Sequence, residues 1–174
     1  TLIAWSRYAQ AEMAADENDW TRCRAVMDQI TGARVDKEFE TRRALLLARL
    51  TAHDNPAQEP KALFQPIETI CVKEHFHEIL WETYYFWGEV LRQRGELVAG
   101  EHLFEKSIGL LRAIALSLPE EYRDRYLSQK TRQKCYQEWK KSRTDETLWP
   151  APFTPPWGET SSSSNAETTA VQRW

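Results

Sequence analysis

Cys71, His75, His77 and Glu78 form the one grouping in this chain whose side-chain types suit a metal ion. Cys71 and His75 are four residues apart and share a face if the segment is helical, but His77 follows His75 by two and points elsewhere. Three ligands therefore do not converge, and the group reads as ordinary helix-start and surface residues with no metal bound. His53 and His102 stand alone. Nucleophilic catalysis needs a Ser or Cys held on a sharp turn beside a base and an oxyanion donor, and neither a Gly-x-Ser-x-Gly elbow nor a Cys-Gly-rich loop occurs. Gly-x-Gly-x-x-Gly and Gly-x4-Gly-Lys-Ser/Thr are absent too, and 6 glycines in all leave little from which to build a phosphate cradle. Carboxylate neighbours such as Glu120-Glu121 and Glu38/Glu40 fall on polar helix faces, where charges are solvated. The expectation is a protein without catalytic residues, metal or cofactor.

The elements that carry these residues are bounded by composition. A chain of 174 residues makes one domain with room for an appendage, and leaves no room for a second catalytic domain. With 23 Lys+Arg against 26 Asp+Glu and no block of like charge, it lacks the basic surplus that nucleic-acid binding requires. The 41% hydrophobic and 28% charged content is that of a soluble globular chain, but 8 Trp are many for the length, so aromatic rings should dominate the packing. No apolar run reaches the ~20 residues of a membrane helix. Three cysteines far apart argue for reduced thiols in a cytoplasmic setting. The chain opens at Thr1 without a leader and closes just after a Ser/Thr-rich stretch, as a piece of something longer would.

Strand signals are missing, since no alternating run stands between turn residues and no Asn-Gly or Asp-Gly hairpin occurs. An all-α body over residues 1–142 follows. Helices are expected near Leu2–Ala15, Trp20–Ile30, Lys37–Ala52, Pro60–Cys71, His75–Arg94, Leu97–Leu116, Pro119–Leu127 and Lys130–Lys141. Asn18-Asp19 caps the second, Gly32 stops it, and Gly95 turns one helix into the next. Ser117-Leu118-Pro119-Glu120 reads as a capping box with proline in the first turn. Pro66 should bend the helix that contains it. Residues 143–174, with Pro150, Pro152, Pro155, Pro156 and Ser161 to Ser164, read as an extended or disordered tail or linker. Trp149, Phe153 and Trp157 recur in it every four residues, which suits a strap docked on the helical body; the alternative is a proline-rich ligand for another domain.

Paired helices of similar length invite a search for repeats. Tyr84-x2-Trp87-Gly88-x2-Leu91-x3-Gly95-x4-Gly100-x3-Phe104-x2-Ser107 resembles the tetratricopeptide repeat at each of its signature positions. Gly88 and Gly100 lack side chains, so two antiparallel helices can approach there, while Trp87, Leu91 and Phe104 fill the flanking space. A first pair resembles it through Ala11, Cys23 and Met27, although Arg7 and Gln10 take apolar places. A middle pair has Ala44-x2-Leu47-Ala48-x2-Thr51, then a stretched turn and a second helix with Ala62 and Pro66 at key positions. Ala11, Ala48 and Gly88 are spaced by 37 and then 40 residues, longer than the ~34 of the standard repeat. Leu118 to Leu127 looks like the helix that ends such arrays in large bacterial signalling proteins, with Tyr122, Tyr126 and Leu127 as its apolar face.

The resemblance implies an α-solenoid of about three helical hairpins, closed by two capping helices, whose concave wall is built from the first helix of each pair. Carried over by position, that wall consists of Tyr8 and Glu12, then Arg42, Leu45 and Arg49, then Glu82, Tyr85, Glu89, Arg92 and Gln93, with Tyr85 and Arg49 as anchors. Packing of Tyr8 and Tyr85 between repeats is the competing role for those rings. The implied function is a non-catalytic scaffold or sensor module of a larger cytoplasmic signalling protein, holding a protein or peptide partner in the groove. The alternatives are a substrate-positioning or regulatory domain of a protease or ATPase, and a permanent subunit of an assembly.

Overall fold

A computed structural model describes residues 2–30 and 36–141, and among them every regular element is helical. The helices are α1 (Leu2–Asp16), α2 (Trp20–Met27), α3 (Lys37–Asp54), α4 (Pro60–Glu74), α5 (His77–Gln93), α6 (Leu97–Ser117), α7 (Glu120–Leu127) and α8 (Lys130–Lys140). Gly32 and the segment 143–174, with Trp149, Phe153 and Trp157, lie outside the described residues.

Local chemistry explains most of the boundaries. The Asp19 carboxylate accepts from the Arg22 N–H at 3.0 Å, capping α2 as its sequence implies. Asp36 does the same for α3, accepting from the Phe39 N–H at 2.8 Å. Several boundaries depart from expectation, α3 among them, which runs on to Asp54. α2 stops at Met27 instead of Ile30. α4 runs three residues past Cys71, and His75 ends it in the left-handed conformation at φ 59°, so α5 starts at His77 instead of His75. Ser117 caps nothing in α7: its hydroxyl turns back to donate to the Ile114 carbonyl at 2.6 Å, because Ser117 still belongs to the last turn of α6. Pro119 takes the N-cap place without a side-chain bond.

Consecutive helices pair, α1 with α2, α3 with α4 and, over the largest contact, α5 with α6. The last pairing rests on two glycines. A Cβ on Gly100 would stand 3.0 Å from the Gly88 carbonyl oxygen, and one on Gly88 would stand 3.0 Å from the Phe104 ring and 3.1 Å from the Gly100 oxygen. A methyl at either place would have to push its neighbour back, and at Gly100 that neighbour is backbone. Gly95, at φ +82°, makes the turn between them.

The first pair buries Ala11, Cys23 and Met27. In the second pair the expected register of α4 is wrong. Ala62 and Pro66 are exposed, and Phe64, Ile67 and Cys71 enter the core instead, a spacing of three and four that defines one helical face. α4 continues through Pro66. Leu47 is likewise 39% exposed, while Leu45, Leu46, Ala48 and Leu50 are buried. α7 buries no residue at all: Tyr122, expected on its apolar face, is 51% exposed, and Tyr126 alone of the two tyrosines packs against the core.

Candidate functional site

The strongest candidate site is a groove of about 420 Å³ to which α1, α3, α5 and α8 all contribute. The first helices α1, α3 and α5 touch in succession. Together they supply Asp16, Arg49, His53, Tyr85, Phe86, Glu89 and Gln93 to its lining. α8 closes one side with Thr131, Lys134 and Glu138, which fall on a single face at intervals of three and four.

What holds α8 there is a polar knot on Glu78, the first-turn acid of α5. Glu78 accepts from the Trp81 indole N–H at 2.8 Å, the Tyr126 hydroxyl at 3.0 Å and Arg132 at 3.1 Å. The Arg132 guanidinium also lies 3.6 Å over the Tyr126 ring. Beneath it, the buried Ser107 hydroxyl donates to the Trp81 carbonyl at 2.8 Å and meets the Cys135 sulfur at 3.1 Å. Burial pushes the Cys135 thiol up to about 12, so it is a packed, un-ionised side chain.

Inside the groove Arg49 is the central residue. Its guanidinium lies 3.7 Å over the Phe86 ring and 5.9 Å from the Trp20 ring, and it pairs with Asp16 at 3.0 Å. Trp20 in turn stacks on His53 at 4.9 Å. Tyr85 is buried, with its ring against Phe86 and Phe104 and its hydroxyl donating to Glu89 at 2.8 Å. Burial raises the Glu89 carboxyl, with the Tyr85 hydrogen bond and Arg49 acting against the rise. Burial also acts to raise Glu138, but Lys141, at 2.6 Å, and Arg92 hold its carboxyl below the usual range. The result is an amphipathic surface of rings and compensated charges.

The ten residues expected on the wall divide into four sets. Arg49, Tyr85, Glu89 and Gln93 line the groove together. Arg92 lines a neighbouring depression of about 310 Å³ with Leu97, Glu101, Phe104, Glu138 and Lys141. Tyr8, Glu12, Arg42 and Glu82 form a separate polar cluster: the Tyr8 hydroxyl donates to Glu12 at 3.1 Å, and Arg42 bridges Glu38 at 3.2 Å and Glu82 at 3.6 Å. Burial there pushes the Glu82 carboxyl up to about 7 despite Arg42, with Glu12 and Glu78 adding to the rise. Leu45 is a core residue, 3% exposed and packed in the cluster that includes Phe64, Leu80 and Trp81, because α4 and α5 cover that side of α3. Tyr8 and Tyr85 are both buried; Tyr8 packs edge-on to Trp5 and Phe39 at 6.1 and 5.8 Å, the interhelix role that competes with anchoring a partner.

Asp16, Trp20, His53, Phe86, Lys134 and Glu138 complete the groove and were not among the expected wall residues. Phe86 was within reach of the sequence, since it follows Tyr85 on a helix already assigned to the wall. The α8 residues were not, because Glu78 and Arg132, which fix that helix, are 54 positions apart. Among the described residues no group of three or more His, Cys, Asp or Glu is placed to hold a metal ion, and Cys71 of the suspected group is a buried thiol that burial pushes up to about 12. Among the described residues no helix is long and apolar enough to cross a membrane. Compared with known proteins, the chain matches no family model, no curated protein and no solved structure.

Proposed function

We propose that this chain is a tetratricopeptide-like α-solenoid, a non-catalytic protein–protein interaction module of a larger cytoplasmic signalling protein, and that it holds a peptide or helix in the groove of α1, α3, α5 and α8. One observation carries the reading: the successive first helices of three hairpins contribute to a single groove in which aromatic rings, Trp20 and Phe86, flank a guanidinium, Arg49. Preformed rings give apolar contact at little entropic cost, and charges already paired on the wall orient a ligand without needing large rearrangement.

The test is selection of binders from a displayed random-peptide library on the full chain. Selected peptides should lose at least tenfold in affinity on Arg49→Ala or Phe86→Ala, with helical circular dichroism unchanged. Peptides that bind these variants as well as the wild type would dismiss the groove.

A further inference from the structure

We infer that the groove is occupied by the protein's own C-terminal segment, with Trp149, Phe153 and Trp157 seated on the rings of α5, α3 and α2, so that an outside partner must displace it. This rests on the groove reading above and names the regulation of that site.

The first support is where the chain leaves the fold. α8 ends at Lys140, two residues after Glu138, and Glu138 with Lys134 and Thr131 is one wall of the groove. The Lys141 ammonium itself bonds to Glu138 at 2.6 Å, so the last described residue lies at the rim. Eight residues separate Lys141 from Trp149 and sixteen separate it from Trp157. Even as random coil these spans reach roughly 16 and 23 Å, enough to cross from α8 over helices spaced ~8–10 Å apart.

The second support is chemical fit. The groove offers partly exposed rings at Trp20 and Phe86. The segment offers three aromatic side chains at regular intervals of four, with four prolines between the first and the last. Proline limits the backbone freedom lost on docking. The groove's own carboxylates are taken up, Asp16 by Arg49, Glu89 by the Tyr85 hydroxyl and Glu138 by Arg92 and Lys141. Its rim carries the exposed Lys134. Residues 142–174 hold four acids, Asp145, Glu146, Glu159 and Glu167, against two arginines, Arg143 and Arg173, and Asp145 and Glu146 come just before Trp149. Tethering supplies the rest: a ligand on a short linker sees an effective concentration of order millimolar, so a weak contact suffices to fill the site.

The probe is a fluorescein-labelled synthetic peptide of residues 143–160, titrated against the full wild-type chain and against the full chain carrying Trp149→Ala, Phe153→Ala and Trp157→Ala. With the tethered competitor disabled, the triple variant should bind the peptide at least tenfold more tightly than the wild type. Phe86→Ala in the triple background should abolish the gain; Lys134→Glu, an exposed change, replaces it if Phe86→Ala lowers helix content. Equal affinity for both chains, or no binding to either, overturns the inference. A gain that survives the Phe86 and Lys134 changes also overturns it, since the segment would then dock elsewhere. A wild-type dimer in sedimentation that the triple variant abolishes overturns it in favour of exchange between two copies. Library peptides that still depend on Arg49 would in each of these cases leave the groove reading standing, which separates the two failures.

Discussion

Between α5 and α6 the helices meet backbone to backbone, and a Cβ added at either Gly88 or Gly100 would stand within 3.1 Å of the other's carbonyl oxygen. Between α3 and α4 nothing comparable occurs: Ala62 points to solvent, and Phe64, fully buried, reaches past its own hairpin to stack on Trp87 of α5 at 6.0 Å. One hairpin is held by the absence of side chains and the other by a large one. The second hairpin therefore shares its core with its neighbour.

The difference can be broken most severely at Phe64. Phe64→Ala should cost about 3–5 kcal/mol in urea unfolding, because it empties a site shared by α4 and α5 that no exposed residue can refill. A loss below about 1 kcal/mol would mean the second hairpin has a core of its own.

Gly100→Val attacks the opposite principle. It places a branched side chain against a backbone oxygen that cannot move without parting two helices, and should cost about 2–4 kcal/mol. Ala48→Gly, at the place in the second hairpin that corresponds to Gly88, should cost only about 1 kcal/mol, the loss of helix propensity. If both substitutions cost the same, close approach at Gly88 and Gly100 is not what distinguishes the third hairpin.

Particular residues explain why the third hairpin and part of the groove were legible in the sequence and the rest was not. Gly88 and Gly100 have one structural use at that spacing, so their pairing is written locally. Ala62 and Pro66 matched the repeat by counting alone, whereas Phe64, Ile67 and Cys71 are the large or buried residues that follow helical periodicity, and weighting volume over motif position would have found them. Arg49, Tyr85, Glu89 and Gln93 reached the groove because they lie on the faces that α3 and α5 turn toward it. Leu45 is one helical turn from Arg49, yet neighbouring helices cover it, and which helix covers a face is a long-range property. The same holds for α8, whose place depends on Arg132 finding Glu78.

The two hairpins are also joined electrostatically, through Arg42 of α3 and Glu82 of α5, and pH sharpens the comparison there. The Glu82 carboxyl titrates at about 7 in the fold and at 4.5 ordinarily. Between those values the folded chain holds a proton that the unfolded chain has lost, so the Glu82 contribution to stability is intact below about pH 4.5 and falls as pH rises through 7. Glu82→Gln removes that dependence. The variant should match the wild type near pH 5 and exceed it at pH 8 by on the order of 1–3 kcal/mol in chemical denaturation. A difference that does not grow with pH would remove Glu82 as the titrating group.

The smallest effect isolates α4 from the core question. Pro66 lies inside that helix, exposed, and lacks the N–H that would otherwise bond to the Ala62 carbonyl. Were Pro66 a key packing residue, as its repeat position suggests, Pro66→Ala would leave a void and destabilise. With the side chain in solvent, alanine restores one backbone hydrogen bond and improves helix propensity, against a small gain in unfolded-chain entropy. The expected outcome is a rise in stability of up to about 1 kcal/mol, read from the thermal midpoint. A fall instead would put Pro66 back at the interface and make the second hairpin resemble the third.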